Sequence, residues 1–206
     1  MRLGIMGGTF DPIHYGHLVA AEEARAAFDL HLVTFIPCRE PPHKKDYQVT
    51  DAEHRYAMTV TATCTNPHFD ALRIELERLG PSYTIDTLRQ LHAAHPQAEL
   101  FFITGADAVR ELLTWREPER LVALCRFVAV TRPGYDLRGL ERDLGELARS
   151  VAAIEAPGVN ISSTQIRERV AQGRSIKYLT PDAVETYIVK HRLYRDSDNQ
   201  SHKIRR

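Results

Sequence analysis

The sequence predicts an α/β domain of the Rossmann-like type, a doubly wound and mostly parallel β-sheet with helices on both faces. Short apolar runs typical of buried strands alternate along the chain with longer segments of helical periodicity. The first apolar run passes through a glycine-rich turn directly into a helix, an order typical of this fold. We expect residues 1–195 to form a single domain and the polar residues 196–206 to be a disordered tail.

The composition fits a globular protein with a core of its own, since 43% of the 206 residues are apolar and 26% are charged. Lys and Arg together number 27, and Asp and Glu together also number 27. This charge balance disfavours a large nucleic-acid-binding surface. No apolar run reaches membrane-spanning length, and the N-terminus lacks a signal-peptide pattern. The cysteines at 38, 64 and 125 are odd in number and far apart, which fits reduced thiols. We therefore expect a cytoplasmic protein without nucleic-acid or membrane partners.

The first strand, at residues 3–6, leads through the turn at residues 7–17 into a helix at residues 18–28. Gly7 and Gly8 let backbone amides approach an anion closely, and the start of the helix adds the positive end of its dipole. A glycine pair after a strand is ordinarily only a tight turn. The turn gains specificity from the residues that follow it.

Two histidines, His14 and His17, stand three residues apart and bracket Gly16 at the start of the first helix. Two imidazoles at this position can donate hydrogen bonds to phosphate oxygens without a covalent step. A single surface histidine is ordinarily idle. The pair together with the glycine turn indicates a phosphate site far more specifically than either feature alone.

Strands and helices alternate along the rest of the chain. We expect further strands at residues 31–36, 69–76, 100–104, 127–130 and 151–154. We expect further helices at residues 50–65 (opened by a capping box at Thr50–Glu53), 85–95, 107–115, 118–124, 137–149 and 181–191. The charges of residues 137–149 most simply form a solvated helix face.

Candidate ligand-binding residues follow the carboxyl ends of these strands, where open parallel sheets bind their ligands. The basic loop after residues 31–36 carries Lys44, which could meet a phosphate or simply be solvated. Gly105 and Asp107 follow the buried strand at residues 100–104.

Hydroxyl groups at the start of two later helices are a further candidate feature. Ser162 and Ser163 precede Arg167 by about one turn, so hydroxyls and a cation together could clamp a phosphate. Ser82 and Thr84 stand at the start of another helix. The alternative for all four hydroxyls is an ordinary helix N-cap.

The segment 7–17 is similar to the signature of the nucleotidyltransferase superfamily, a glycine-rich turn leading into His-x-Gly-His, which class I aminoacyl-tRNA synthetases share. The later motifs resemble those of bacterial nicotinate-nucleotide adenylyltransferases, occur in the same order and cover nearly the whole chain apart from the tail. Each is weak alone, and the ordered set is specific. They are Pro42-His43-Lys44, Ser82-Tyr83-Thr84 with Asp86-Thr87-Leu88, Gly105-Ala106-Asp107 with Trp115, Arg132-Pro133-Gly134, and Ile161-Ser162-Ser163-Thr164 with Ile166-Arg167.

The resemblance implies adenylyl transfer from ATP to nicotinate mononucleotide, which yields nicotinate adenine dinucleotide and pyrophosphate in NAD biosynthesis. The acceptor phosphate would attack the α-phosphorus in line, without a covalent enzyme intermediate, so that catalysis is positioning and charge stabilisation. Mg²⁺ is expected to arrive with ATP, because the sequence shows no acidic cluster to hold it. A homo-oligomer is compatible with the sequence.

The resemblance also implies roles for particular residues, and it assigns no protein ligand to a metal. The catalytic residues would be His14, His17, Lys44 and Arg167. ATP would bind at Gly7, Gly8, Thr9, Phe10, Gly16, Gly105, Asp107 (on the adenosine ribose), Ile161, Ser162 and Ser163. The mononucleotide would bind at Thr9, Lys44, Ser82, Tyr83, Thr84, Trp115 and Arg132.

Two alternatives fit parts of the pattern. A related adenylyltransferase could use another acceptor, phosphopantetheine or nicotinamide mononucleotide. A non-catalytic nucleotide-binding module could keep the glycine turn for affinity alone, but it could dispense with one histidine or with Arg167. A synthetase is disfavoured because this length leaves no room for an anticodon-reading extension. Pyrophosphate release with ATP and each acceptor would separate these functions.

Overall fold

The computed structural model of the chain describes residues 1–41, 49–131, 134–135 and 137–195. Lys44, Arg132 and the predicted tail at residues 196–206 lie outside the described residues. Within the described part, six strands form one sheet in which every neighbouring pair is parallel. The strands are β1 Arg2–Gly8, β2 Leu32–Pro37, β3 Phe69–Ala71, β4 Glu99–Gly105, β5 Arg126–Thr131 and β6 Val151–Glu155.

Helices connect successive strands, which confirms the predicted Rossmann-like α/β fold. Two short 3-10 segments, Leu112–Thr114 and Gly145–Ser150, accompany them. The helices are α1 Tyr15–Ala27, α2 Ala52–Thr63, α3 Ile74–Glu77, α4 Thr84–Ala94, α5 Ala106–Arg110, α6 Pro118–Leu124, α7 Leu137–Leu144, α8 Ser163–Ala171 and α9 Asp182–Lys190. No helix within the described ranges combines the length and apolarity that crossing a membrane requires.

Alternation of side chains along the strands gives the sheet two apolar faces, because successive residues of a strand point to opposite sides. On one face, Phe102 of β4 packs in a core with residues of α4, α5, α6 and α7. On the other face, the adjacent residues Phe101 and Ile103 pack with residues of α1, α2, α8 and α9. Helices therefore cover both faces of the sheet.

The strand order is β3-β2-β1-β4-β5-β6. From β1 the chain continues to β2 on one side, and β4 later pairs with the other side of β1. The connections after β1 and β4 thus diverge and leave a crevice beyond the carboxyl ends of these two strands, the usual ligand position in open α/β sheets. Gly8 and Gly105 are the residues at which these two strands end.

The third predicted strand is wrong beyond Ala71. β3 ends there, and Ile74–Glu77 form a short helix. The strand prediction for residues 69–76 ran through alternating charged residues, and one of these, Glu75, has a buried side chain that accepts a hydrogen bond of 2.6 Å from the Thr87 hydroxyl of α4. A tertiary contact therefore overrides the local pattern.

Two predicted helices have different ends. The N-cap of α2 is Asp51, whose carboxylate accepts a hydrogen bond from the Glu53 amide, so the predicted cap at Thr50 is displaced by one residue. The helix predicted at residues 137–149 ends at Leu144, because Gly145 adopts a positive φ of 56° and the next residues form a 3-10 segment.

Gly4 of β1 lies in a crowded part of the sheet, since an added Cβ would approach the Leu30 side chain to 2.8 Å and the Val33 side chain to 3.0 Å. We expect Gly4→Ala to lower the free energy of unfolding by about 1–3 kcal/mol through overpacking. Urea unfolding measures this change. The matched control is Gly105→Ala, whose Cβ would meet nothing within 4 Å. Equal stability of the two variants would contradict the packing of β1.

Candidate active site

Two cavities open at the carboxyl edge of the sheet and meet at the end of β1. The first, the aromatic cavity, has a volume of about 570 Å³, and the second, the histidine cavity, about 460 Å³. Gly7 of β1 and Thr104 of β4 line both cavities. The crevice between the two strands is thus divided into two compartments that share a wall of two small residues.

The histidine cavity takes its name from His14 and His17, both of which line it. His14 is the N-cap of α1, and its backbone N–H donates a hydrogen bond of 3.2 Å to Nδ1 of His17. Because Nδ1 is the acceptor, a neutral His17 carries its proton on Nε2. The two imidazoles lie 3.8 Å apart between centroids, and the buried Phe10 ring contacts His17 edge-on at 5.1 Å. The pair is therefore held in a defined orientation.

Three glycines of the predicted site have different physical roles. A Cβ on Gly8 would lie 2.9 Å from the Phe10 ring, and one on Gly16 would lie 3.0 Å from the His14 ring. These glycines make room for the protein's own aromatic side chains. Gly105 differs, because a Cβ there would meet nothing within 4 Å and the residue lines the histidine cavity. The open space beside Gly105 is therefore part of the histidine cavity.

The turn that leads into α1 is fixed through its carbonyl groups. Four of its carbonyl oxygens accept hydrogen bonds of 2.7–2.8 Å from side chains that are distant in sequence. The pairs are Arg55 with Thr9, Arg167 with Asp11, Ser163 with Pro12, and Thr180 with Ile13. The peptide groups of the turn are consequently held in one orientation by α2, α8 and the segment before α9.

Two helices begin at the histidine cavity. α1 starts beside Gly16, and α8 starts beside Ser162, whose hydroxyl caps the helix by accepting from the Gln165 amide at 3.1 Å. Helix N-termini present unpaired N–H groups and the positive end of the dipole. With Arg167 also on the wall, the cavity is suited to an anionic group such as a polyphosphate.

The aromatic cavity is bounded by the rings of Tyr83, Phe102 and Trp115. The Trp115 ring meets Phe102 edge-on at 5.9 Å, which orients the indole. The Arg116 guanidinium, which sequence reasoning missed, also lines the cavity and lies 4.8 Å from the centroid of the Tyr83 ring. An aromatic wall suits a planar heterocycle, and the nearby cation suits a negatively charged substituent on that ring.

α4 begins at this cavity with Thr84, and its N-cap is Tyr83. The suggested alternative role of Ser82 and Thr84 as N-caps is therefore wrong. The Ser82 hydroxyl instead accepts a hydrogen bond from the Arg39 amide at 3.0 Å, which ties α4 to the end of β2. Ser82, Tyr83 and Thr84 all line the cavity, so the start of an eleven-residue helix faces the cavity.

Glu75 is a buried acid on the wall of the aromatic cavity and was not predicted as a site residue. Its carboxylate accepts from Thr87, which in turn accepts from Arg78 at 3.0 Å. Burial raises the pKa of Glu75, and the hydrogen bonds from Thr87 and Ser82 oppose that shift. The sequence signal that could have found it is a glutamate between the two apolar residues Ile74 and Leu76.

Most predicted site residues lie on one of the two cavities. Phe10 is buried behind His17, and Asp107 is exposed in the first turn of α5. The residues predicted as catalytic or ATP-binding that line the histidine cavity are Gly7, His14, Gly16, His17, Gly105, Ile161, Ser162, Ser163 and Arg167. The aromatic cavity is lined by Gly7 and Gly8, predicted for ATP, by Thr9, predicted for both substrates, and by Ser82, Tyr83, Thr84 and Trp115, predicted for the mononucleotide.

Comparison with known proteins places this chain in a family. The sequence model of the cytidylyltransferase-like family matches residues 5–169. This range includes the glycine turn between the two cavities and the start of α8. The chain belongs to this family of nucleotidyltransferases. Within it, the chain groups with the nicotinate-nucleotide adenylyltransferases, as its most similar relatives establish.

These relatives cover almost the whole chain. The probable nicotinate-nucleotide adenylyltransferase of Moorella thermoacetica is 53% identical, over 94% of this chain and 92% of its own length. The enzyme of the same name from Mycobacterium tuberculosis is 52% identical, over 93% of this chain and 91% of its own. The family predicted from the motifs is thereby confirmed.

Solved structures agree on the fold. The nicotinic acid mononucleotide adenylyltransferase of Plasmodium falciparum, complexed with NaAD, superposes with a TM-score of 0.76 over 94% of this chain and 97% of that chain. A structure from Vibrio parahaemolyticus described as a putative nicotinate-nucleotide adenylyltransferase gives 0.66 over 96% and 98%. Sequence identity is 23% and 17%, so the likeness establishes the fold alone.

The buried Glu75 predicts a pH dependence of stability. Its pKa in the folded state lies above the ordinary value of 4.5, so the folded chain binds the proton more tightly than the unfolded chain. Its contribution to stability is complete below pH 4.5 and is lost as the pH rises through the raised pKa. Glu75→Gln should therefore gain stability relative to the wild type as the pH rises above 4.5.

Urea unfolding at a series of pH values measures this difference. The control is Glu77→Gln, on the same short helix, where the side chain is 71% exposed. This control should run parallel to the wild type. A Glu75→Gln profile that also runs parallel to the wild type would contradict the shift.

Proposed function

We propose that the chain transfers the adenylyl group of ATP to nicotinate mononucleotide, giving nicotinate adenine dinucleotide and pyrophosphate, a step of NAD biosynthesis. The observation that carries the proposal is the pair of cavities that share Gly7 and Thr104. One suits a polyphosphate and the other a planar heterocycle, so the two substrates would meet at the end of β1. The names of the relatives and the NaAD bound to the Plasmodium falciparum enzyme support the same reaction.

The reaction needs no protein nucleophile. A phosphate oxygen of the mononucleotide attacks the α-phosphorus of ATP, and the bond from that phosphorus to the pyrophosphate oxygen breaks on the opposite side. Catalysis then consists of holding the two substrates in line and stabilising charge on the transferred group and on the departing pyrophosphate.

The histidine cavity would hold the ATP phosphates. His14 and His17 would donate hydrogen bonds from their imidazoles, and Arg167 would supply positive charge to the β- and γ-phosphates. The Ser163 hydroxyl donates to the Pro12 carbonyl, so its contribution would be its backbone N–H at the start of α8. Beyond Gly105, Asp107 remains our candidate for the adenosine ribose.

The aromatic cavity would hold the mononucleotide. Trp115 offers a ring face for the cationic pyridine, and the first amides of α4 at Tyr83 and Thr84 would bind the nicotinate carboxylate with help from the helix dipole. Thr9, at the turn between the two substrates, and Ser82 complete the described part of this site. Lys44 and Arg132 remain proposed phosphate ligands outside the described residues.

Magnesium enters the proposal with the nucleotide. Among the described residues, no group of three or more His, Cys, Asp or Glu side chains is placed to hold a metal ion. We propose that triphosphate oxygens and water are the ligands of this ion, as is usual for Mg²⁺ in nucleotide sites. When bound there, the ion would neutralise charge on the phosphates.

Acceptor choice is the direct test of the proposal. The acid and amide mononucleotides differ by one carboxylate, and a hydrogen bond to a charged group contributes about 1.5–3 kcal/mol. We expect kcat/KM for nicotinate mononucleotide to exceed that for nicotinamide mononucleotide by about ten- to a hundred-fold. Pyrophosphate release with ATP and each acceptor measures the ratio.

Three other outcomes of the same assay would each be decisive. Equal values or a preference for the amide would contradict the pocket assigned at Tyr83 and Thr84. Turnover with phosphopantetheine instead would mean another acceptor, and absence of release with every acceptor would mean a non-catalytic nucleotide-binding module.

His17→Ala tests the histidine cavity. Loss of one preorganised donor lowers turnover by about 10²–10³, so we expect that reduction in kcat. The matched control is His92→Ala, which removes an exposed histidine near the end of α4. Thermal unfolding of both variants checks that they are folded. Near-normal kcat in a folded His17→Ala variant would refute the assignment.

A further inference from the structure

Asp11 is a buried carboxylate within the glycine-histidine turn, with only 1% of its surface exposed. It is not among the residues that line the aromatic or the histidine cavity. Its Oδ1 accepts a hydrogen bond of 2.8 Å from the Tyr194 hydroxyl, and its Oδ2 accepts one of 3.3 Å from the Thr50 amide. A carboxylate placed in this way serves the turn's geometry and not a ligand.

The backbone of the same residue is held from another direction. The carbonyl oxygen of Asp11 accepts from Arg167 of α8 at 2.8 Å, and three residues later His14 begins α1. The side chain and main chain of Asp11 thus join the turn to Tyr194, to Thr50 before α2 and to α8. Any displacement of Asp11 would be transmitted to His14 and His17.

Tyr194 follows α9 and adopts a left-handed backbone conformation with a φ of 62°. Its ring packs against the core that includes α1, α2 and α9, while its hydroxyl reaches Asp11. Burial, followed by the nearby Asp11 carboxylate, raises the pKa of Tyr194, so the hydroxyl remains a hydrogen-bond donor at neutral pH. The backbone conformation and the packing of Tyr194 after α9 therefore place its hydroxyl against Asp11 in the turn after β1.

We propose that Tyr194 is a positioning residue for catalysis, because its hydroxyl acts through the Asp11 carboxylate to hold the turn that places His14 and His17 against the ATP phosphates. The inference rests on the proposed adenylyl transfer. A buried carboxylate that loses a donor is left under-satisfied, and the turn would relax to recover a partner. A displacement on the order of 1 Å at the reacting groups can lower the rate about a hundred-fold.

The experiment compares Tyr194→Phe with Tyr187→Phe in the full-length chain. Each removes one tyrosine hydroxyl, and the control hydroxyl contacts His54 at 3.0 Å instead of the turn. We expect Tyr194→Phe to lower kcat about ten- to a hundred-fold while KM for the mononucleotide stays within about two-fold. Tyr187→Phe should keep kcat within about two-fold of the wild type, since the hydroxyl of this half-buried tyrosine contacts His54 and neither the turn nor a cavity.

A double-mutant cycle separates positioning from general structural support. If Tyr194 acts through Asp11, Tyr194→Phe should cause no further loss of kcat in an Asp11→Asn background. Losses that multiply in the double variant, or a kcat of Tyr194→Phe equal to that of Tyr187→Phe, would overturn the inference. Thermal unfolding identifies the assay temperature at which all variants are folded.

Calorimetry of ATP binding distinguishes failure of this inference from failure of the proposed function. A wild-type chain that binds ATP but transfers no adenylyl group would refute the proposed function alone. The inference would then be judged by Kd, which should rise at least about five-fold for ATP in Tyr194→Phe because His14 and His17 are displaced. An unchanged Kd would overturn it.

Discussion

The site depends on how the turn after β1 is held. Its four bound carbonyl oxygens accept from residues that lie 46 to 167 positions away in the sequence. Arg55 joins the turn to the end of β2, because its buried guanidinium donates to the carbonyl oxygens of Thr9, Cys38 and Arg39. Since each peptide dipole is fixed before a ligand arrives, little reorganisation is needed when charge develops on a phosphate. The geometry of the turn after β1 thus depends on contacts from distant parts of the fold.

The division of the crevice follows from the same strand. A residue at the end of β1 must separate two ligands without occupying their space, and Gly7 meets this need with no side chain at all. A Cβ there would come within 3.2 Å of the Phe102 ring, which belongs to the aromatic cavity. Both the close approach of the two cavities and the packing of the Phe102 ring therefore require a residue without a side chain at position 7.

Local chemistry explains which parts could be predicted from the sequence. His14, Gly16 and His17 form a short motif, and their place at the start of α1 follows from the local sequence, as do the alternating strands and helices. Glu75 and Tyr194 could not be found in this way, because their partners Thr87 and Asp11 are set by tertiary packing. The same cause shortened β3 relative to the predicted strand at residues 69–76, because Glu75 makes a buried contact in a short helix.

The contacts that hold the turn after β1 restrict which substitutions the C-terminal part of the described chain can accept. Residues 163, 167, 180 and 194 all contact the segment 11–13, so the last quarter of the described chain completes the first turn. Such long-range pairs form only when the two ends of the domain have docked, which couples assembly of the active site to completion of the fold. Substitutions near the C-terminus should consequently affect turnover through geometry even where they leave both cavities unchanged. The orientation of His14 and His17 therefore depends on contacts from the whole packed domain and not on the histidine motif alone.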